Sequence, residues 1–407
     1  MSSSDPYNSA DCRGYPKIGI YTGQGTSHSW LWFVEIFDRM GFYNLAFLTE
    51  DQLKTDGLDR FDVLAMSGGD TFAIAEGLGP EGADRLERFI RNGGLYIGSC
   101  AGAYLPLHSS KEHLNLFNFV PAKITNLTRT LPEAQRLREK FCTAYGCSFI
   151  FHPVRESVQL ATNGFTPFSK APSLEAPLYG GPPMIAGESA QVLATYSDFT
   201  TKTLFLVDEQ LARDTVLGRA AVIRQKMGAG HLHLYGPHFE HPHFTVANQL
   251  LIDAMLWDLR YDPVQAGEYN ADEKVIRGEA CRKLLRDLKR EISNSRIVAV
   301  GLETLPVRWT IGNKIYETAK IREFIEPVWS RINVLEKRRQ VCMLNGQDTL
   351  IIQRASEVTS LLRDIKNRID RHTDTHDIAG RMFRKLNKVC TRFFEIFFRT
   401  KMHQYQS

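Results

Sequence analysis

The first 260 residues alternate between short apolar runs and longer stretches whose apolar positions recur every three or four residues. "KIGIYT" (17–22), "YNLAFLT" (43–49), "FDVLAMSGGD" (61–70) and "LYIGSC" (95–100) are the short runs. Bounded by glycine and polar residues, each predicts a buried strand. Between them, Trp30, Phe33, Val34, Phe37 and Met40 fall on one helical face, which Gly41 closes. Leu86, Phe89 and Ile90 do the same over 80–92, stopped by Asn92-Gly93-Gly94. This alternation predicts a parallel α/β sheet. Sites in such sheets lie beyond the carboxyl ends of the strands, so the Gly-rich turns at 23–27, 68–70 and 98–102 should open toward one edge.

Residues 110–180, rich in Asn, Thr, Pro and Phe, read as strands and loops without a clear period. Residues 203–207, 219–224 and 231–236 read as strands, with Gly228-Ala229-Gly230 as a tight hairpin turn. Residues 245–259 form an apolar helix. From about 262 the texture changes to charged residues with heptad-like apolar spacing. Stretches 280–292, 321–344, 355–369 and 381–398 predict four amphipathic helices, enough for a bundle. The expected organisation is a disordered leader (1–16), an α/β domain (17–260), a linker near Asp262-Pro263 to Gly267, and a helical domain (261–407).

A length of 407 residues exceeds one typical domain, and 43% hydrophobic with 24% charged residues is ordinary for a globular chain. No apolar run is long enough to span a membrane, and the polar N-terminus lacks the apolar core of a signal peptide, so a cytoplasmic location is expected. The seven cysteines are scattered, which fits free thiols in a reducing compartment. Cys142 and Cys147 are close in sequence, but without a second pair they read as unrelated thiols.

The net charge of +4 conceals an asymmetry. Residues 1–260 carry 22 basic and 27 acidic residues, and 261–407 carry 28 and 19. Two units with different partners are implied. The mixed signs of the second unit argue against a nucleic-acid domain and leave a protein partner as its expected role. Residues 381–401 are basic and aromatic, with Phe383, Phe393, Phe394, Phe397 and Phe398. A membrane-surface helix has that composition, but packing against the other helices or the α/β domain is the simpler reading.

The candidate chemistry centres on Cys100 in "GGLYIGSCAGAYLP" (93–106). Small neighbours permit a sharp strand-to-helix turn that projects the thiol. The following helix N-terminus lowers the thiol pKa. A nucleophile also needs a base and a group that orients it. His238-Phe239-Glu240 supplies both, because residues two apart in an extended segment share a face. An acyl intermediate needs oxyanion donors. The Ala101 N–H and the Gly68-Gly69 loop are the candidates. Gly23-Gln24-Gly25-Thr26-Ser27 lacks the lysine of a phosphate loop and reads as a site-edge loop. Gly25, Thr26, Asp70 and Tyr104 are therefore the expected substrate contacts. His231 and His233 alternate on one strand as zinc ligands can, but no suitable third ligand follows, so they read as solvent-facing, with His241 and His243 at the site mouth. No metal and no cofactor is expected.

"IYTGQGTS" (20–27), "MSGGDTF" (66–72), "GSCAGAY" (98–104), "YGGPP" (179–183) and "AAVIRQKMGAGHLHLYGPHFEH" (220–241) together resemble the class I glutamine amidotransferase-like superfamily. The likeness is nearest to the N-terminal, amidotransferase-like domain of biotin–protein ligases and runs over roughly 17–260. It implies a flavodoxin-like doubly wound, mostly parallel sheet. It also implies a Cys100–His238–Glu240 triad with oxyanion donors at Gly69 and Ala101. The chain departs from the family in having Ser67 where proline often precedes the Gly-Gly pair, and Phe239 in place of the commoner proline. It carries no GRGR-like biotinyl-adenylate motif, so it is not expected to be a biotin ligase. The expected activity is a thiol hydrolase or amidase acting through a thioester on a small amide or peptide. The rival is a catalytically silent scaffold that keeps a small-ligand pocket and recruits a partner through its helices.

Overall fold

A computed structural model describes residues 16–55, 57–136, 149–259, 274–338, 340–343 and 350–406. Nearly all of the predicted leader, Cys142 with Cys147, and the linker at 262–267 lie outside the described residues. The chain begins with β1 (Ile18–Tyr21), α1 (Trp30–Arg39), β2 (Leu45–Leu48), α2 (Glu50–Lys54), β3 (Val63–Met66), α3 (Thr71–Arg91), β4 (Leu95–Ser99) and α4 (Ala101–Tyr104). There follow β5 (Ala122–Ile124), α5 (Glu133–Arg136), β6 (Val154–Thr162), β7 (Ser173–Leu178), β8 (Met184–Ala186), β9 (Gln191–Phe199) and β10 (Leu204–Phe205). Next are α6 (Glu209–Val216), β11 (Ala220–Met227), β12 (Gly230–Tyr235) and α7 (Thr245–Leu259). The remainder comprises β13 (Lys274–Arg277), α8 (Gly278–Glu303), β14 (Arg308–Ile311), β15 (Lys314–Glu317), α9 (Ala319–Arg338), β16 (Gln340–Met343), α10 (Ile351–Asp370) and α11 (His376–Gln406).

The predicted doubly wound sheet is present. Its site-bearing part runs β2-β1-β3-β4-β12, and every pairing in it is parallel. All five residues of β4 are buried, as a central parallel strand covered on both faces requires. The sheet continues through β11, β9, β6 and β10 in antiparallel pairings. The change of direction comes from the Gly228-Ala229 turn, which pairs Met227 with Gly230 and leaves no room for a crossover. The strand read over 203–207 shrinks to two residues.

One helix starts earlier than its periodicity suggests. α3 begins at Thr71, not near 80, because the Asp70 carboxylate accepts from the Phe72 and Ala73 N–H groups at 3.1 and 3.4 Å. Gly79, at φ +58°, and Pro80 then break the helical run, so only its second half repeats visibly in the sequence.

The four C-terminal helices form as predicted, with two corrections. Residues 340–343, read as the end of a helix, are strand β16, which pairs with β13 through Ile276 and Val341. Here tertiary pairing overrides the helical spacing. The hairpin β14–β15 was not anticipated. Its two-residue turn, Gly312-Asn313, places glycine at φ +60° in the first central position, where a tight hairpin turn requires it.

The aromatic face of α11 is core and not membrane-facing, since all five phenylalanines named above are buried. Phe394 packs 6.0 Å from Trp30 and 6.2 Å from Phe47, and Phe398 lies 6.3 Å from Phe47. Asn387 accepts from Trp30 Nε1 at 2.9 Å and donates to the Thr22 carbonyl at 2.8 Å. The helices are thus seated on α1 and the edge of the parallel sheet. No helix among the described residues is long and apolar enough to cross a membrane.

His231 and His233 also differ from the sequence reading. His233 is fully buried, with Nε2 2.6 Å from Asp258 Oδ2, and His231 Nε2 lies 2.8 Å from Arg224 Nη2. The Asp258 carboxylate on α7 covers that face of the sheet and receives Arg224 as well. Among the described residues no cluster of His, Cys, Asp and Glu is arranged to hold a metal.

Candidate active site

Cys100 sits between β4 and α4 at φ +52°, ψ −108°, a conformation costly for a residue with a Cβ. The glycines around it explain how the turn closes. A Cβ on Gly98 would lie 2.4 Å from the Gly102 carbonyl oxygen, and one on Gly102 would lie 2.0 Å from that of Met66. Both positions therefore require glycine for α4 to fold back over β3 and β4. Cys100 is 4% exposed, and it lines the same cavity wall as the His238 imidazole.

His238 and Glu240 follow the end of β12. The segment is a turn and not the extended strand expected, with the His241 N–H donating to the His238 carbonyl at 3.0 Å. The side chains meet all the same. His238 Nδ1 is 2.6 Å from Glu240 Oε1, and Phe239 between them is anchored in the core against Tyr235 and Phe168. Glu240 is fully buried and accepts from Ser67 Oγ at 3.1 Å and Ser99 Oγ at 2.8 Å. Ser67, the departure from the family pattern, is thus a direct support of the carboxylate. Neither serine stands out in the sequence, because nothing at positions 67 or 99 signals a partner at 240.

Burial alone would push the Cys100 thiol up, but the facing His238 charge and hydrogen bond bring it below the ordinary value. Burial would likewise lower His238, and the charges of Glu240 and Cys100 reverse that and hold the imidazole well above its usual range. Each group thus favours the charged form of the other.

The Gly68-Gly69 loop reaches the same point. A Cβ on Gly68 would lie 2.8 Å from the His238 ring, and one on Gly69 would lie 2.1 Å from the Gly25 carbonyl oxygen. Gly68, Gly69 and Ala101 line the cavity above Cys100. Among the described residues none of their N–H groups donates to an acceptor of the protein.

The cavity is about 550 Å³, the size of a small-ligand pocket. Of the four expected substrate contacts, Asp70 and Tyr104 line it. Gly25 and Thr26 do not. The Gly25 carbonyl accepts the Asp70 N–H at 2.8 Å, and Thr26 pairs with Gly69, so this loop braces the Gly68-Gly69 loop from behind. Asp70 is also less available than expected, since its Oδ2 accepts the Asn313 N–H at 2.8 Å. Tyr104 Oη accepts from Asn126 Nδ2 at 2.6 Å.

Several lining residues escaped the sequence reading. Trp32 stands edge-on to His238 at 5.0 Å, and Tyr179 lies 5.9 Å from it, so aromatic rings wall the imidazole. His241, expected at the site mouth, does line the cavity; it packs 4.5 Å from Trp32, and burial together with the His238 charge pushes it down to about 4. His28, Lys320 and Glu323 form a linked group, with His28 Nε2 2.6 Å from Glu323. Asn313, Lys314, Ile315, Tyr316 and Glu317 come from the β14–β15 hairpin, about two hundred residues beyond Cys100. No local signal pointed to that hairpin.

Residues 17–112 match the family model described as biotin-protein ligase, N terminal. That span contains the Gly68-Gly69 loop and Cys100 and ends before His238 and Glu240. Among curated proteins none matches the chain. Solved structures similar to it include a beta-galactosidase from Bacillus circulans sp. alkalophilus, at 13% identity and TM-score 0.34, covering 64% of this chain and 35% of that one. The chain thus spans about a third of that enzyme's length. Others are a glutamine amidotransferase from Thermotoga maritima (10% identity, TM-score 0.33, covering 62% of this chain and 89% of that one) and a cytoplasmic protein from Salmonella typhimurium LT2 (11%, 0.34, 62% and 100%).

Proposed function

We propose that this chain, similar over residues 17–112 to the N-terminal region of biotin-protein ligases, is a thiol-dependent amidase or hydrolase of the glutamine amidotransferase-like type. The observation that carries the reading is one chain of contacts. Cys100, on a strained strand-to-helix turn, meets His238, and His238 is held at 2.6 Å by the buried Glu240. In this reading they serve as the nucleophile, base and orienting group of acyl transfer.

The Cys100 thiolate attacks the carbonyl carbon of an amide, and the carbonyl π electrons move to oxygen. The Gly69 and Ala101 N–H groups stabilise that oxyanion. The imidazolium of His238 gives its proton to the leaving nitrogen as the C–N bond breaks and the thioester forms. Water then gives a proton to His238 and attacks the thioester. Cys100 departs as thiolate, leaving a carboxylic acid. Glu240 stays ionised and fixes the ring throughout.

Low iodoacetamide near neutral pH tests the first requirement. Cys100 is expected to be alkylated before the other six cysteines, and Cys100→Ala to lose that fast phase. Equal labelling of all seven would overturn the reading. Intact-mass detection of an acyl adduct on Cys100, absent from Cys100→Ala, then identifies the acyl group.

A further inference from the structure

The peptide that joins Gly68 to Gly69 has no side chain on either flank to fix its orientation. Glycine tolerates the backbone angles of either orientation, so turning this unit over costs little in itself. What holds it is hydrogen bonding to its carbonyl. The Ser27 N–H and the Ser27 hydroxyl both donate to the Gly68 carbonyl oxygen, each at 3.1 Å. The Ser29 hydroxyl donates to the same oxygen at 3.3 Å. Three donors thus converge on one carbonyl, all from the segment that leads from β1 into α1.

The peptide is trans, so the Gly69 N–H is directed opposite to the Gly68 carbonyl. Thr26 and Gly69 pair as an antiparallel bridge, with the Asp70 N–H returning to the Gly25 carbonyl at 2.8 Å. In that pairing the Gly69 N–H faces away from the serine segment. Among the described residues it meets no acceptor of the protein, and Gly69 lines the cavity. Turning the peptide over would exchange the two groups. A carbonyl oxygen would then stand where the N–H is, and it would repel an oxyanion that the N–H attracts.

Both serines are committed to this contact. Ser29 is the N-cap of α1, where a serine oxygen commonly accepts from the first helical turn, yet it makes no such bond. It is buried, with its hydroxyl between the Gly68 carbonyl and Ser67 Oγ, which lies 2.8 Å away. Ser67 in turn reaches Glu240 at 3.1 Å. Ser27 Oγ lies 3.0 Å from Ser29 Oγ. A Cβ on Gly68 would fall 2.9 Å from Ser29 Oγ and 2.8 Å from the His238 ring, so the peptide is held between the serines and the imidazole.

We infer that Ser27 and Ser29 are positioning residues, which clamp the Gly68 carbonyl and thereby keep the Gly69 N–H turned toward the oxygen of an acyl group on Cys100. The catalytic meaning of the clamp rests on the proposed function, whereas the clamp itself rests on the hydrogen bonds alone. Neither serine acts on the reacting atoms. The loop at 23–27 is in this way a brace for the oxyanion donor.

Two reactions of the same sulfur isolate the effect. With p-nitrophenyl acetate the Cys100 thiolate adds to the carbonyl carbon and the π electrons move to oxygen. Their return expels p-nitrophenolate and leaves the acetyl group on sulfur. Iodoacetamide alkylates Cys100 by displacing iodide from a saturated carbon, with no oxyanion. Both rates are followed on the Cys100 peptide by mass spectrometry after reaction of the full chain. Their ratio cancels the thiolate fraction and reads the oxyanion donor. Outright loss of a donor costs about 10²–10³ in rate. The Ser27 N–H remains when the hydroxyls are removed, so Ser27→Ala with Ser29→Ala should lower the acylation-to-alkylation ratio by at least about tenfold. Ser27→Thr, which keeps the hydroxyl, should stay near the wild-type ratio. A merely structural loss would slow both reactions and leave the ratio alone, and an unchanged ratio in the double variant overturns the proposal. Should a thermal melt show that the double variant does not fold, Ser27→Ala alone, at a half-buried position, should give a smaller fall, and no fall there overturns it equally.

A crystal structure of the double variant tests the clamp without the chemistry. The Gly68 carbonyl should turn away from position 27 or occupy two orientations, and a single unaltered orientation overturns the proposal. If Cys100 is alkylated no faster than the other six cysteines, the proposed function fails and this structure alone decides whether the serines orient the peptide. If Cys100 is selectively alkylated and the ratio does not move, the clamp fails alone.

Discussion

Glu240→Gln removes a charge from the site while keeping its shape. Glu240 is fully buried, and its oxygens are shared among His238 at 2.6 Å, Ser67 at 3.1 Å and Ser99 at 2.8 Å. An opposite charge at such range moves a titrating group by about 1–3 units, each about 1.4 kcal/mol. Loss of the carboxylate therefore destabilises the His238 imidazolium. The direct effect on Cys100 has the opposite sign, since the Glu240 charge raises the thiol. The carboxylate touches the ring and reaches the thiol only across it, so the imidazolium effect is larger. Taking about two units for the net change, the thiolate fraction falls about a hundredfold below the new titration limb.

In the wild type the Cys100 thiol lies below and His238 above their ordinary values. Thiolate is then present below the usual thiol range and is lost only as pH falls through the lowered Cys100 value. In Glu240→Gln the imidazolium no longer compensates burial, so the acid limb moves up toward or beyond that of an ordinary thiol. The assay is the rate constant for iodoacetamide modification of Cys100, followed by intact mass across about pH 5–10. The wild-type limb should lie at lower pH than that of Glu240→Gln, and below its limb the variant should climb about tenfold per unit. A thermal melt on the same samples establishes that the variant is folded. If a folded Glu240→Gln shows the wild-type limb and rate, the ion-pair account is wrong.

Three other outcomes follow from the packing. Gly102→Ala puts a methyl 2.0 Å from the Met66 carbonyl, which only a shift of β3 or α4 relieves. A cost of about 1–3 kcal/mol should lower the melting temperature by at least about 3 °C and slow Cys100 alkylation as the turn opens. Phe394→Ala empties a fully buried contact with Trp30 and Phe47 and should cost about 3–5 kcal/mol, read as a lower urea midpoint. For Asp258, burial would raise the carboxyl, but Arg224 and His233 hold it well below its usual range. Its contribution to stability is thus present at neutral pH and is lost as pH falls through that depressed value. Asp258→Asn should melt lower than wild type at pH 7 and lose less on acidification, measured by melts from neutral to about pH 3.

What was legible in the sequence depended on how local its cause was. Strands β1, β3 and β4 announce themselves because a parallel strand buried on both faces must be apolar throughout, and each runs into a glycine-containing turn. Cys100, His238 and Glu240 could be picked out as candidates because few side chains can serve as nucleophile, base and orienter. The backbone that presents them was not, and His238 and Glu240 meet across a turn where an extended strand was expected. Causes distant in sequence left no trace. Ser67 and Ser99 are ordinary strand-end serines until Glu240 is folded between them. His231 and His233 read as exposed because Asp258, which partners both and covers His233, is on a helix beyond the next turn. The start of α3 was hidden by Gly79-Pro80, which interrupts the very period that defines a helix.

The charge asymmetry shows why the C-terminal third belongs to the site. Its basic excess suggested a separate partner, yet part of that excess is met within the chain. Arg331 on α9 lies 2.7 Å from Glu35 and 2.9 Å from Asp38, and Lys401 on α11 also reaches Asp38. Those carboxylates belong to α1, the helix that carries Trp30 and Trp32. Lys320 and Glu323 on α9 then reach His28, just before α1, and Asn313 reaches Asp70. Any displacement of the helices would therefore be felt at three places at once. These are the aromatic wall over His238, the loop that faces Cys100, and the β14–β15 hairpin on the cavity wall. Under the proposed function, a cavity assembled this way would have Cys100 set by the sheet and its selectivity set by the C-terminal elements. Relatives that share residues 17–112 but carry a different C-terminal region should then keep the thiol chemistry and differ in what they accept.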